Sequence, residues 1–430
     1  MFRKSCGIGW EKVMDGHVSG RDAWRWRWCW VMGVWTLVSA HGLAQQPRRA
    51  NSSVVASAPA TRSAGSDRNA ATISADLLRL YNSTQTMTEE KDFTALIDRL
   101  VLILQDQQRS AADIEYAGQL MAWSANKRGE WRCDRAGELV DEGKTAEAKK
   151  LDQQAMRDFQ LALKYDPKRW KSRHNMAIIL SMQGNHDGAL AEFSEVIAQN
   201  PKYANAYFNR AEIYSLTSEY DLAVADYTSS LQLNPQDAEA YAGRARARFQ
   251  LNEFDLAIRD FQKASQLAPD QIELQIDLAD AYQSTGKWTE AMEAYGAALQ
   301  RDDQCSRAFQ NLGWLLATCP EAKIRSPRHA MQMVDKAVVL NGEVDYQLLD
   351  VKAAASAAAG DFPAAVQSAK RALEQAPEEE QDEIRQRLAL YQKGRAYLQK
   401  NALNETSSPN AQTARSPRSS GSSIIGTGVR

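Results

Sequence analysis

Prolines recur at a constant spacing along the middle of this chain, and this spacing limits the folds that the chain can adopt. Pro167, Pro201, Pro235 and Pro269 are each separated by 34 residues. Because proline cannot continue the hydrogen-bond ladder of a helix, each one is expected to mark the end of a helix. A fixed period of this length is typical of a repeat architecture, in which one supersecondary unit is stacked many times.

An alanine and an aromatic residue precede the predicted helix ends, and they recur with the same 34-residue period. In four successive copies an alanine is followed four residues later by an aromatic side chain. Residues four apart lie on one face of a helix, so the alanine lets a neighbouring helix approach and the ring contacts it. The four pairs are Ala189 and Phe193, Ala223 and Tyr227, Ala257 and Phe261, and Ala291 and Tyr295.

This pattern resembles the tetratricopeptide repeat (TPR) family, whose helix–turn–helix unit has a period of about 34 residues. Within one unit, five family positions are matched by Ala211, Tyr214, Ala223, Tyr227 and Pro235. The resemblance implies an all-α fold, an α-solenoid in which helix–turn–helix units wind into a right-handed superhelix. It covers residues 73–377 with seven to eight helix pairs, and a capping helix is predicted at 378–400.

The outer units depart from the regular spacing. The unit that ends at Pro167 has its first helix predicted at 110–128, and a charged insertion around 132–150 separates this helix from its partner. Further along, five extra residues within 320–329 delay the second helix of another unit.

The resemblance also implies where a partner would bind. In family members that hold extended peptides, the first helices line a concave groove, and an asparagine at the sixth position hydrogen-bonds the peptide backbone. This chain has Asn175, Asn209 and Asn311 there, interrupted by Gly243 and Asp277. Since asparagine is also common at this position without a ligand, both interpretations stay open. The other predicted groove residues are Phe208, Glu212, Arg246, Phe249, Ile276 and Asp280.

The N-terminal region carries a different signal. In residues 21–35 tryptophan alternates with arginine, and an uncharged stretch with a thirteen-residue apolar core at 28–40 follows the last arginine. A basic flank, a short apolar core and a small-residue exit describe a secretory signal. We predict that residues 1–44 are a signal peptide cleaved after Ala44, or an uncleaved anchor. Translation from Met32 would instead leave the protein in the cytoplasm.

Composition and motifs argue against several classes of function. The 52 basic and 54 acidic residues give a net charge of −2, so no overall positive field favours nucleic acid. The five cysteines and five histidines show no zinc-ligand spacing, which argues against a metal site. No nucleophile-elbow, Walker A or dinucleotide-binding motif is present, so we predict no enzyme activity, no catalytic residue and no cofactor.

We therefore expect an exported scaffold of the periplasm or cell envelope that binds a protein or peptide partner. Membrane contact is expected only through the N-terminal segment, if it is uncleaved. Two alternatives remain: a structural brace of an envelope assembly, or a regulatory subunit of an exported enzyme. Residues 45–72 and 401–430, poor in apolar residues, are predicted to be a disordered linker and tail.

Three cysteines follow the signal segment. Cys305 and Cys319 lie at the two ends of one predicted helix, and fourteen residues of helix separate them by roughly 21 Å, too far for a disulfide. Cys133 could pair with its copy in another chain, but we favour burial of all three thiols as small apolar groups.

Overall fold

A computed structural model of the chain describes residues 73–400. Within that range it contains seventeen α-helices, a single 3-10 turn and no β-strand. The predicted all-α solenoid is confirmed, while the predicted signal segment, linker and tail lie outside the described residues. The helices are α1 (Ala75–Ser83), α2 (Glu90–Gln105), α3 (Ala111–Asp141), α4 (Thr145–Tyr165), α5 (Trp170–Met182), α6 (His186–Gln199), α7 (Ala204–Leu216), α8 (Tyr220–Leu233), α9 (Ala238–Gln250), α10 (Phe254–Leu267), α11 (Ile272–Ser284), α12 (Trp288–Arg301), α13 (Ser306–Thr318), α14 (Pro327–Asn341), α15 (Tyr346–Ala358), α16 (Phe362–Gln375) and α17 (Glu378–Gln392).

The helices start where the 34-residue period predicts. The second helices α6, α8, α10 and α12 start at His186, Tyr220, Phe254 and Trp288, each 34 residues after the last. Helix α14 starts at Pro327, five residues later than this period, as the predicted insertion requires. The first helices α5, α7, α9, α11 and α13 start at Trp170, Ala204, Ala238, Ile272 and Ser306.

The described residues form two compact units, one up to residue 274 and one from residue 275. In each unit the predicted alanine and aromatic pairs are buried, which confirms the helical faces inferred from the sequence. In the first unit Ala223 is fully buried and the Tyr227 ring contacts Phe208 edge-on at a centroid distance of 5.7 Å. In the second unit Ala291 and Tyr295 are buried in the same way.

The charged insertion predicted at 132–150 is wrong, because most of those residues are helical. Helix α3 is 31 residues long and α4 is 21, so both helices of this pair are extended rather than separated by a loop. The charged side chains are accommodated by ion pairing: Arg128 and Arg132 both contact Asp158 of α4, at 2.6 and 2.8 Å. Gly129 lets the two helices approach, since a Cβ there would lie 2.6 Å from the Phe159 ring.

The capping helix at the end of the second unit is shorter than predicted. Helix α17 ends at Gln392, and residues 395–400 form no regular secondary structure. The helix ends there because Gly394 takes a left-handed conformation, with φ of 65°, and the Arg395 N–H donates back to the Leu390 carbonyl at 3.0 Å. The predicted helix at 378–400 is therefore corrected to 378–392.

The side chains of Cys133, Cys305 and Cys319 are buried, as expected, and Cys319 is a free thiol. Between residues 73 and 400, no helix combines the length and hydrophobicity needed to span a membrane.

Candidate functional site

The first helices of the first unit carry a row of buried polar side chains. Asn175 of α5 is 3% exposed, and its Oδ1 has no hydrogen-bond partner among the described residues. Asn209 of α7 is fully buried, with its Nδ2 3.5 Å from Nε2 of His174. The His174 ring is held edge-on against Phe193 and Tyr203, at centroid distances of 5.4 and 5.0 Å. Asn209 therefore lies beside a firmly packed imidazole.

Glu212 and Tyr227 form a buried polar contact in the same unit. The Tyr227 hydroxyl donates a hydrogen bond to Glu212 Oε1, and Glu212 is 6% exposed. Burial, together with the neighbouring Glu212 carboxylate, raises the pKa of Tyr227 well above its ordinary value, so the hydroxyl keeps its proton and remains a donor. Phe208 is fully buried against Tyr227 and belongs to the hydrophobic core of this repeat.

Helix α9 explains why the asparagine row is interrupted. A Cβ on Gly243 would lie 2.5 Å from Cζ of Tyr227, so the ring fills the space that a side chain would need. Further along α9, Arg246 is half-buried, and the Phe249 ring contacts Phe254 at a centroid distance of 5.0 Å. The interruption therefore has a packing cause.

The second unit gathers three predicted groove residues around an arginine. Nη2 of Arg307 lies 2.9 Å from Asp277 Oδ1 and 2.7 Å from Asp280 Oδ2. Asn311 donates from its Nδ2 to Asp280 Oδ1 at 2.8 Å. Burial opposes the charge on Arg307, yet the two carboxylates raise the pKa of its guanidinium above the ordinary value. Asp277, Asp280 and Asn311 are thus brought together, while Ile276, predicted beside them, is buried.

A tyrosine extends this cluster toward the end of α11. The Tyr295 hydroxyl contacts Asp280 and donates to Oε1 of Gln283 at 3.0 Å. Burial raises the pKa of Tyr295 well above its ordinary value, and the adjacent Asp280 carboxylate acts in the same direction. Burial likewise raises the pKa of Asp280, although Arg307 opposes the shift. The cluster is a connected set of donors and acceptors that runs from Arg307 to Gln283.

Sequence reasoning missed Arg307, Gln283 and the two tyrosine hydroxyls. Tyr227 and Tyr295 were assigned to the core from their spacing, and only the structure shows that their hydroxyls reach first-helix carboxylates. The signal that could have found them is the choice of tyrosine over phenylalanine, because a buried tyrosine requires a partner for its hydroxyl.

Both clusters consist of hydrogen-bond donors and acceptors, which suit a polar main chain. In the described residues no group of three or more acidic, histidine or cysteine side chains could hold a metal ion.

Paired helices with a 34-residue period and buried alanine–aromatic contacts define a helix–turn–helix repeat protein. Sequence comparison identifies the repeat. Family profiles described as tetratricopeptide repeat match residues 204–237 and 249–313, and one described as TPR repeat matches residues 179–218. The chain therefore contains several tetratricopeptide repeats between residues 179 and 313. No curated protein sequence matches it significantly.

Several solved structures resemble parts of the chain. YrrB, described as a TPR protein with an unusual peptide-binding site, is 21% identical over 44% of this chain and 95% of its own, with a TM-score of 0.38. A TPR protein from Parabacteroides merdae is 19% identical over 61% of this chain and 98% of its own, with a TM-score of 0.45. PilW, described as a type IV pilus biogenesis factor, is 18% identical over 50% of this chain and 97% of its own, with a TM-score of 0.43.

Proposed function

We propose that this protein is a non-enzymatic scaffold, exported from the cytoplasm, whose first helices hold extended segments of partner proteins. One observation carries the proposal. Within the second unit, the chain's own residues 395–400 run without regular secondary structure, and the main chain of Gln399 is bonded to the end of first helix α13. These repeats therefore form a surface that accepts an extended chain. A protein or peptide partner, with neither nucleic acid nor a cofactor, fits such a surface.

The asparagines of the first unit suit the same role. Asn175 Oδ1 is an acceptor without a partner among residues 73–400, and a peptide N–H would satisfy it. Because this oxygen makes no hydrogen bond there, Asn175→Ala removes none from it, although truncation of a buried side chain leaves a small cavity. The unfolding free energy of the variant is therefore measured beside its partner binding, so that loss of binding is distinguished from loss of stability.

Site-specific photocrosslinking in cells tests this proposal. A photoreactive residue replaces Arg246, on the predicted groove face of α9, and in a matched control it replaces the exposed Arg259 of α10. We expect the probe at position 246 to give an adduct whose linked peptide is identified by mass spectrometry. The adduct should be lost in the Asn175→Ala background, and the probe at position 259 should give none. Equal labelling from both positions would contradict groove binding.

Export is tested separately. The segment 1–44 has the basic flank, apolar core and small-residue exit of a secretory signal, and this supports transfer to the periplasm or cell envelope. N-terminal sequencing of the native protein should find a chain that starts at Gln45. A chain that retains Met1, Met14 or Met32 in the soluble cytosolic fraction would defeat export and leave peptide binding untouched.

A further inference from the structure

The last described residues of the second unit turn back after the capping helix. Gly394 ends α17 in a left-handed conformation, and residues 395–400 follow without helix. We name residues 393–400 the strap. From Tyr397 to Lys400 the burial alternates: Tyr397 and Gln399 are partly buried, whereas Leu398 is 45% exposed and Lys400 is exposed. This alternation is that of an extended chain with one face against a surface, because residues two apart point the same way.

Gln399 anchors the strap through its main chain and its side chain. Its N–H donates to the carbonyl of Thr318 at 2.8 Å. Thr318 is the last residue of α13, where helix carbonyls lack partners within the helix. The Gln399 Oε1 accepts a hydrogen bond from Nε2 of Gln283 at 2.9 Å. Gln283 is 6% exposed and is itself held by Tyr295, so the donor is fixed in place.

Tyr397 makes the second contact. Its ring lies against that of Trp314, with centroids 5.9 Å apart. The Arg387 guanidinium covers both rings, at 5.3 Å from Trp314 and 5.8 Å from Tyr397. Arg387 is fixed in turn by Asp350, with Nη2 to Oδ2 at 2.8 Å. Trp314 and Arg387 therefore form a pre-organised aromatic slot for a tyrosine. Gln283 supplies an amide donor for a glutamine two residues later.

The strap lies on the face predicted to bind a partner. Gln283 comes three residues after Asp280 on α11, and Trp314 comes three residues after Asn311 on α13. Residues three apart share a helix face, so the strap covers the continuation of the groove positions inferred from the sequence.

We propose that the strap is an internal ligand of the second unit, and that the partner is an extended peptide with an aromatic residue two positions before a glutamine. This inference rests on the proposed function. A tethered segment competes at an effective concentration in the millimolar range. A partner therefore binds only if its segment fits the same slot well enough to displace the strap. Because the strap occupies the slot most of the time, the apparent affinity of any competing peptide is lower than its affinity for the empty slot.

A binding experiment on the full-length chain tests the strap. The probe is a fluorescent synthetic peptide with the sequence of residues 393–400, and the readout is its anisotropy. We expect the double variant Tyr397→Ala/Gln399→Ala to bind the probe about tenfold more tightly than the native chain, because the slot is no longer occupied. The matched control, Leu398→Ala, changes only an exposed side chain and should behave as the native chain does. A probe that carries the same two alanines should not bind.

Equal affinity of the native chain and the double variant, or no binding to either, would overturn the proposal. If the double variant does not fold, hydrogen exchange on the native chain decides. Saturating probe should speed exchange of the Gln399 amide, which is bonded to Thr318 in the free protein, and unchanged exchange would equally overturn the proposal. The outcome is separable from the crosslinking test: absence of adducts at position 246 denies a partner in the first unit, whereas equal peptide affinity denies the strap.

Discussion

Arg244 and Asp260 form a two-point ion pair that recurs with the period of the sequence. Nε and Nη2 of Arg244 each lie 2.8 Å from a carboxylate oxygen of Asp260. Thirty-four residues earlier, Arg210 makes the same contact with Asp226, at 2.6 and 2.8 Å. In both places the arginine also donates to a hydroxyl on the second helix of the preceding repeat. Each pair therefore ties together three successive helices of the first unit.

Loss of Arg244 should destabilise the first unit. The Arg244 and Asp260 side chains are only 13% and 7% exposed, so Arg244→Ala removes two hydrogen bonds from a buried carboxylate, which then keeps, among the described residues, only its contact with Arg248 at 2.6 Å. Loss of hydrogen bonds to a buried charged group costs about 2 kcal/mol of unfolding free energy. Urea unfolding followed by circular dichroism measures the loss. Arg135→Ala is the control, because Arg135 and Glu138 are 38% and 56% exposed and such pairs contribute less than about 1 kcal/mol. Similar losses in both variants would contradict the structural role of the repeated pair.

Two helical glycines should respond to alanine in opposite directions. At Gly243 a Cβ would lie 2.5 Å from Cζ of the fully buried Tyr227, so Gly243→Ala should lower the unfolding free energy by about 2 kcal/mol. At Gly296 a Cβ would meet no atom within 4 Å, and alanine there should raise stability by up to about 1 kcal/mol. Urea unfolding of the two variants decides the point. A neutral Gly243→Ala would show that Tyr227 can move aside, and the packing cause of the interrupted asparagine row would then be wrong.

Removal of the hydroxyl should raise the stability of the fold at Tyr391 and lower it at Tyr295. Tyr391 is 1% exposed, and its hydroxyl has no partner among the described residues, so Tyr391→Phe should raise the unfolding free energy by about 1 kcal/mol. Tyr295 is equally buried, but its hydroxyl donates to Gln283. Tyr295→Phe should therefore lower stability by about 1 to 3 kcal/mol, because it leaves buried acceptors unsatisfied. Thermal melts give the signs, and a shift in the same direction for both variants would count against this assignment.

The regular part of the fold could be predicted because its constraint is local and periodic. The proline and alanine–aromatic spacing gave the helix register, since residues four apart must share a helix face. The length of α3 could not be predicted, because its charged residues are stabilised by Asp158, which lies on the next helix and looks like any other surface aspartate in the sequence. The repeated pairs such as Arg244 and Asp260 were detectable, since both residues recur at 34-residue spacing.

The contacts among the predicted groove residues could be predicted from the sequence only in part. The sequence placed Asp277, Asp280 and Asn311 on first helices, and the structure brings them together. Gln283 was not predicted, because its role depends on a strap that the sequence assigned to a helix. Gly394 carried the signal for that correction, since glycine just after a helix commonly terminates it. Whether the predicted groove residues bind a peptide stays a prediction.

The stability of the first unit should depend on pH through Asp141. This residue ends α3, where burial, reinforced by Glu138 and Glu142, raises the pKa of its carboxyl to about 6 from an ordinary value of 3.8. Between about pH 4 and pH 6 the folded chain keeps a proton that the unfolded chain has released, so stability falls as pH rises through this window. An asparagine at position 141 cannot ionise, so the Asp141→Asn variant should not lose stability as the pH rises.

Thermal melts of Asp141→Asn and the native chain at pH 4, 5, 6 and 7 test the assignment. We expect similar melting temperatures at pH 4 and a variant that becomes progressively more stable than the native chain up to pH 7. Asp76→Asn is the matched control, because the hydrogen bonds from Arg109 hold the pKa of Asp76 well below its usual range. That carboxyl stays ionised in the folded chain over the whole series, and its unfolded form titrates near pH 4, at the lower end of the series, and is ionised above about pH 5. Asp76→Asn should therefore lower the melting temperature by a nearly constant amount above about pH 5. If the Asp141→Asn difference is also constant from pH 4 to pH 7, Asp141 is ionised in the folded chain throughout, and the raised pKa is wrong.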